Sequence, residues 1–259
     1  MIDIHNHILY GLDDGSKTLE ESCELLDSAI KAGVKAICFT PHFIPESQFM
    51  ASISEKERKF LILKEKYAGK IDLYLGNEIY MNNDILELLK DKIEPLAKSK
   101  YLLIELPVCN EYPSLENILF QLQTAGYKVI IAHPERYLYF KNNISKIFRL
   151  MEQGIYFQGN YMSLFDTYGK STKEQFIRLL KHRVYSFLAS DIHHKDDNYY
   201  LKLKQGKEKI KHMTSKEYME KLMETNPNKV IKNEKIEHEI PVKITFFERI
   251  RGKIWKEKY

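Results

Sequence analysis

Cysteine is scarce in this sequence: Cys23, Cys38 and Cys109 are the three thiols among 259 residues. Scattered singly, they form neither a disulfide framework nor a C-x-x-C metal knuckle, and a reducing, cytoplasmic compartment is expected. No stretch approaches the roughly 18 apolar residues of a membrane span. No basic n-region with an apolar h-region opens the chain either, so neither secretion nor membrane spanning is expected. Charge of one sign is also missing. The 40 Lys and Arg are nearly balanced by 36 Asp and Glu, leaving a net charge of +4, which argues against nucleic acid as a partner. No G-x-G-x-x-G follows any apolar run, so a dinucleotide-binding fold has no support.

What is present is an alternation of short apolar runs and longer segments of helical period. Seven runs rich in Val, Ile, Leu and Tyr lie near residues 2–5, 35–40, 71–76, 101–106, 128–132, 155–159 and 184–189. A helical pattern follows each. After the first comes SKTLEESCELLDSAIKAG, where Thr18 and Glu21 form a capping-box pattern and Gly33 a stop. Strand then helix, repeated, predicts parallel strands with crossover helices. Seven such units in a chain that is 44% hydrophobic fit a distorted (β/α)7 TIM-like barrel over residues 1–225 better than an open sheet. Residues 226–259 read as a basic C-terminal extension ending in KITFFERIRGKIWKEKY. There Phe246, Phe247, Ile250, Ile254 and Trp255 fall near helical spacing. A helix docked on the barrel is expected, rather than a helix for a partner or a membrane surface.

A barrel of this kind gathers its chemistry at the C-terminal ends of its strands. In order, those ends carry His5 and His7 in MIDIHNH, His42 in FTPH, Glu78 in GNE, Glu105 in LIELP, His133 in IAHPER, and Asp191 with His193 in SDIHH. Asp14 lies in the loop after the first strand, GLDDGS. His5 and His7, two apart on an extended strand, face the same side. Six of the seven ends thus supply a metal-competent side chain. A lone histidine is most often an ordinary core or surface residue, and His182, His212 and His238 fall in such ordinary places. His194, pointing the other way from His193, is expected to be ordinary as well.

Five imidazoles and four carboxylates, with no thiolate, suit a polynuclear site of mixed N/O ligation open to Mn²⁺, Fe or Zn²⁺. Two or three divalent cations held close together make hydroxide from water and clamp phosphoryl oxygens. Arg136, three residues after His133, would share that rim and add a bidentate phosphate contact. The plainer alternative for it is a salt bridge to Glu135 or to a neighbouring loop. Phosphoester hydrolysis is the activity this constellation predicts.

These stretches, in this order, resemble the PHP superfamily, named for polymerase and histidinol phosphatase domains. DIHNHILYGLDDGSKTLEES, FTPH, GNEIY, YLLIELP, IAHPERY and SDIHH look like one branch of it. That branch is the CpsB/YwqE type, the manganese-dependent protein-tyrosine phosphatases of bacterial capsule and exopolysaccharide loci. HILYGLDDGS and AHPERY separate it from the other branches, and the likeness spans residues 1 to about 215. The resemblance implies three ions: one on His5, His7, Glu78 and Asp191, and a second on Glu78, Glu105 and His133, with Glu78 bridging. Asp14, His42 and His193 would hold the third. It further implies that a bridging hydroxide attacks phosphorus while Arg136 and the ions hold the phosphate oxygens. Arg136, Glu78 and His193 then carry the catalytic step. The implied substrate is the phosphotyrosine-rich tail of a bacterial tyrosine autokinase, so that a membrane is met only through that kinase.

One departure stands out. The branch commonly carries a second phosphate-binding arginine a few residues after the D-x-H element, and SDIHHKDDNYY has none. Lys195 is the available substitute for binding substrate, a point charge rather than a fork, with Asp196 and Asp197 repelling anions beside it. Cysteine-based phosphatase chemistry is excluded, because Ala29, Ile44 and Leu115 stand where a C-x5-R motif needs arginine. Two readings compete: a PHP phosphatase for a small ester such as histidinol phosphate, and a non-catalytic, metal-stabilised phosphotyrosine-binding module. The amidohydrolases also begin with H-x-H, but typically place a bridging lysine where this chain has Glu105.

Overall fold

The computed structural model describes residues 1–141 and 143–242. Seven parallel strands form its centre. They are β1 (Ile2–Asp3), β2 (Ala36–Phe39, resumed at His42–Phe43), β3 (Asp72–Leu75, resumed at Glu78–Tyr80) and β4 (Tyr101–Glu105), then β5 (Lys128–Ala132), β6 (Tyr156–Asn160) and β7 (Phe187–Ala189). Each pairs with the next, Ala36 lying opposite Asp72, His42 opposite Glu78 and Leu103 opposite Ile130. Breaks at residues 40–41 and 76–77 divide the ladder into a three-stranded and a six-stranded sheet. The chain runs through both breaks, with Gly76 N donating to Phe39 O at 2.9 Å and Glu78 N to Pro41 O at 3.2 Å. The ring closes between β7 and β1. There Asp191 N donates to His5 O and His7 N to Ile192 O, both at 2.8 Å. The architecture is the distorted seven-stranded barrel expected from the apolar runs.

Strands covered on both faces need apolar residues at every position, which is why the runs are continuous rather than alternating. Tyr101, Leu103, Ile130, Ala132 and Phe187 pack together inside the barrel, while Leu102, Ile104, Val129 and Ile131 belong to the layer beneath the helices. Helix α1 (Leu19–Lys31) starts at Thr18, whose side chain accepts from Glu21 N, and stops before Gly33 at φ 78°. At the N-terminal end of the barrel, Val230 and Ile236 pack under Tyr101 and Tyr156. The two phenols donate to Glu234 O and Ile236 O, each at 2.7 Å. The expected helix bearing Phe246, Phe247, Ile250, Ile254 and Trp255 lies outside the described residues. Among the described residues no helix is long and apolar enough to cross a membrane.

Candidate metal centre and active site

At the opposite end, the chain leaves β1 still extended and brings His5 and His7 inside, both fully buried. Each is fixed through Nδ1: His5 by Gln158 Oε1 and His7 by Asp13 Oδ2, both at 2.7 Å. With Nδ1–H donated outward, Nε2 keeps its lone pair toward the centre of the site. Asp13 also accepts from the backbone N–H groups of His42 and Gly15 at 2.9 Å each, tying the GLDDGS loop to the His7 ring and to the His42 backbone. Gly15 is required there, because a Cβ on it would come within 2.0 Å of His7 O.

Glu78 stands at the middle. Its Oε1 lies 3.2 Å from His5 Nε2 and 3.1 Å from His133 Nε2; its Oε2 lies 3.3 Å from His7 Nε2 and 3.1 Å from His42 Nδ1. One carboxylate therefore faces four imidazoles from three strand ends. Asp191 closes the far side, with Oδ1 at 3.3 Å from His5 Nε2 and 3.4 Å from His7 Nε2. Two of these residues, His133 (φ 31°) and Asp191 (φ 53°), adopt left-handed backbone conformations that turn the chain sharply at the strand end. Such strain in non-glycine residues concentrates at functional sites. His193 Nε2 and His42 Nε2 reach Asp14 Oδ1 at 3.5 and 3.6 Å.

The site's electrostatics call for cations. Burial and the charge of Glu78 push the Glu105 carboxyl up to about 8, a repulsion that positive charge would relieve. Burial, then Arg136, holds His133 down at about 4, and burial also lowers His42 and His193. Neutral imidazole is the ligating form. For His5 burial pulls downward too, but Glu78 and Asp191 outweigh it and raise the ring to about 9. Most telling, His5 Nε2, His7 Nε2 and His42 Nδ1, which all face Glu78, are buried without any hydrogen-bond partner. Buried polar atoms are nearly always satisfied, so this donor set fits divalent ions. The atoms that could ligate fall into three groups, each within 4.8 Å: His5, His7, Glu78 and Asp191; His7, Asp14, His42 and His193; and His42, Glu78 and Glu105. His133 Nε2 stands beside the last group, 3.7 Å from Glu105 Oε1.

These side chains floor a cavity of about 370 Å³ whose walls add Arg136, Tyr168, Tyr199, His194 and Asp197. Arg136 does not pair with its neighbour Glu135. Its Nη1 donates to Asp191 Oδ2 at 3.3 Å, while the buried Glu135 accepts from Asn160 N, Ser163 Oγ and Tyr185 OH. Lys195 stands elsewhere than expected: on a short turn outside the cavity lining, it is ion-paired with Glu24 at 3.2 Å. His194, expected to be ordinary, is part of the wall. Residues that escaped the sequence reading all hold others in place. β6 is the strand end without a ligand, yet its inward side chains Gln158 and Asn160 bond His5 (2.7 Å) and Asp191 (2.6 Å) and each other (2.9 Å). Their shared face, two residues apart, was the available signal.

The sequence profile described as "Capsular polysaccharide synthesis, CpsB/CapC" matches residues 1–232. The chain belongs to the CpsB/CapC family. CapC of Staphylococcus aureus is 36% identical over 246 residues, covering 93% of this chain and 95% of its own. YwqE of Bacillus subtilis, named a tyrosine-protein phosphatase, is 33% identical over 201 residues, covering 74% and 77%. A crystal structure from work on B. subtilis YwqE and Streptococcus pneumoniae CpsB, described as unique metal-dependent tyrosine phosphatases, superposes with a TM-score of 0.76. Identity there is 28%, over 95% of this chain and all of that one. A histidinol phosphate phosphatase of Lactococcus lactis shares the fold at 17% identity and a TM-score of 0.54, covering 83% of this chain and 94% of its own. The CpsB/CapC match thus embraces every strand of the barrel and all nine candidate ligands, Glu78 included.

Proposed function

We propose that this chain is a metal-dependent phosphatase that hydrolyses phosphotyrosine on a protein. The observation that carries the reading is Glu78, one buried carboxylate facing four imidazoles, among buried ring nitrogens that lack a hydrogen bond. The names of YwqE and CpsB supply the substrate class. His5, His7, Glu78 and Asp191 would hold one ion, Glu78, Glu105 and His133 a second, and Asp14, His42 and His193 a third. Mn²⁺ is the ion proposed, since nitrogen and carboxylate donors without thiolate suit it. When bound, such ions supply Lewis acidity, a nucleophile at neutral pH and countercharge for phosphoryl oxygens.

The chain's own residues do the rest. Arg136 offers guanidinium N–H groups to the phosphate from the cavity wall, and Asp191 orients it from below. Glu78, and His193 beside Asp14, keep their atoms fixed under the reacting group. The buried floor limits bulk water to the open side of the cavity. The partner proposed is the tyrosine-rich tail of a kinase of the capsule locus, met in the cytoplasm. Ion-stripped protein reloaded with Mn²⁺, Zn²⁺ or Fe²⁺, and offered a chromogenic aryl phosphate, a phosphotyrosine peptide and histidinol phosphate, tests this. Turnover should need reloading, be best with Mn²⁺ and the peptide, and fall at least about a hundredfold in His133→Ala. Turnover indifferent to stripping sinks the proposal; preference for histidinol phosphate moves the substrate to small esters.

A further inference from the structure

Among the described residues Arg136 is the one arginine in the wall of the cavity, and arginine is a long side chain whose usefulness depends on how firmly it is held. Its polar tether is slight: a single 3.3 Å contact to Asp191, whose same oxygen already accepts from Asn160 at 2.6 Å. The other support is an aromatic face. The guanidinium carbon sits 5.1 Å from the centre of the Tyr168 ring, within the range where a cation is drawn to a π-face. Tyr168 comes from the loop after β6 and lines the same cavity as Tyr199, the first residue of the helix Tyr199–Met213. Tyr168 stands in SLFDTYG and Tyr199 in HHKDDNYY, the stretch that carries no second arginine.

We propose that Tyr168 is a positioning residue for phosphate binding, its ring holding the Arg136 guanidinium so that the free edge of the fork meets the phosphoryl oxygens. The inference rests on the phosphatase reading of the cavity and deepens it: affinity for the phosphate group depends on a stacked pair instead of on two arginines. Two charged forks would each tolerate loose mounting, whereas one must be preset.

The test uses the metal-loaded full chain, with steady-state hydrolysis of an aryl phosphate and calorimetric binding of inorganic phosphate read side by side. Tyr168→Leu should raise KM and the phosphate dissociation constant about tenfold, with kcat within about twofold. Tyr168→Phe, which keeps the ring, should stay near wild type in both. In an Arg136→Ala background, Tyr168→Leu should add nothing further. The proposal is overturned if Tyr168→Leu leaves phosphate binding unchanged, if Tyr168→Phe loses as much as Tyr168→Leu, or if the loss persists without Arg136. A wild type that binds phosphate but turns over no ester overturns the phosphatase reading instead, and the binding arm still decides the role of Tyr168.

Discussion

Asp3 and Asp191 are both buried carboxyls where β1 and β7 close the barrel, and their surroundings are opposite. Asp3 Oδ2 accepts from Ser190 Oγ at 2.6 Å and Tyr200 OH at 2.7 Å, and Oδ1 from Ser190 N at 3.1 Å. Burial raises its carboxyl. Asp191 faces imidazole nitrogens instead, and their charge, His5 first, holds it well below the usual carboxylate range against the pull of burial. The histidines divide in the same way. His182 bonds through Nδ1 to Val242 O at 2.8 Å, while His5, His7 and His42 each keep a buried nitrogen, turned toward Glu78, without a partner. A buried polar group fully satisfied by the protein holds the fold; one aimed at other polar atoms across a gap is arranged for something that enters from outside.

The sharpest way to break that comparison is at the centre of the unsatisfied end. Glu78→Gln removes the charge that four imidazoles share and should cut turnover by more than about 10³-fold, together with most bound metal. Arg136→Ala, which removes one anion contact from the wall, should cost about 10²-fold and leave metal content intact. Metal analysis beside aryl phosphate kinetics reads both. Equal losses would mean that Glu78 is one ligand among several and not the shared one.

A smaller effect is expected at Gln158, which touches no proposed ion position. Its amide fixes the His5 ring and thereby which nitrogen faces inward. Gln158→Leu keeps the volume and removes the acceptor, so metal affinity should fall about 10- to 100-fold. Saturating Mn²⁺ should then restore most of the turnover. Activity that stays low at saturation would place Gln158 among the reacting groups instead.

Much of this was legible in the residues, for a physical reason. Parallel strands buried on both faces must be written as continuous apolar runs, and a barrel puts its polar residues where those runs end. His5, His7, His42, Glu78, Glu105, His133 and Asp191 are legible by that rule alone. What escaped depends on how side chains meet across the barrel. Asp13 looks like any loop acid beside Asp14, yet the close approach of Gly15 to His7 turns it toward both His7 and His42. Gln158 and Asn160 have no chemistry of their own and matter only through what they hold. The place of Lys195 after SDIHH predicts a phosphate contact. The turn at Lys195–Asp197 instead sends it to Glu24, because Asp197 Oδ2 caps His193 N and His194 N and swings the next side chain outward. Loop geometry of that kind leaves no periodic trace.

The smallest effect belongs to the satisfied end, and it is the one that tests whether the two ends are independent. Tyr200, at the start of the helix Tyr199–Met213, donates to Asp3 and is not among the residues lining the cavity. Tyr200→Phe leaves a buried carboxyl with one donor fewer, which should lower stability by about 1.5–3 kcal/mol. For a chain of this size that is a fall in Tm of roughly 5 °C. Mn²⁺ affinity of the folded protein should stay within about twofold. Ser190 is the route by which this separation could fail, because its hydroxyl lies 2.6 Å from Asp3 Oδ2 and 3.3 Å from His5 O. If Tyr200→Phe weakens metal binding as far as Gln158→Leu does, then Asp3 works through Ser190 on the backbone of His5. The satisfied carboxyl would then belong to the support of the site as well as to the closure of the barrel.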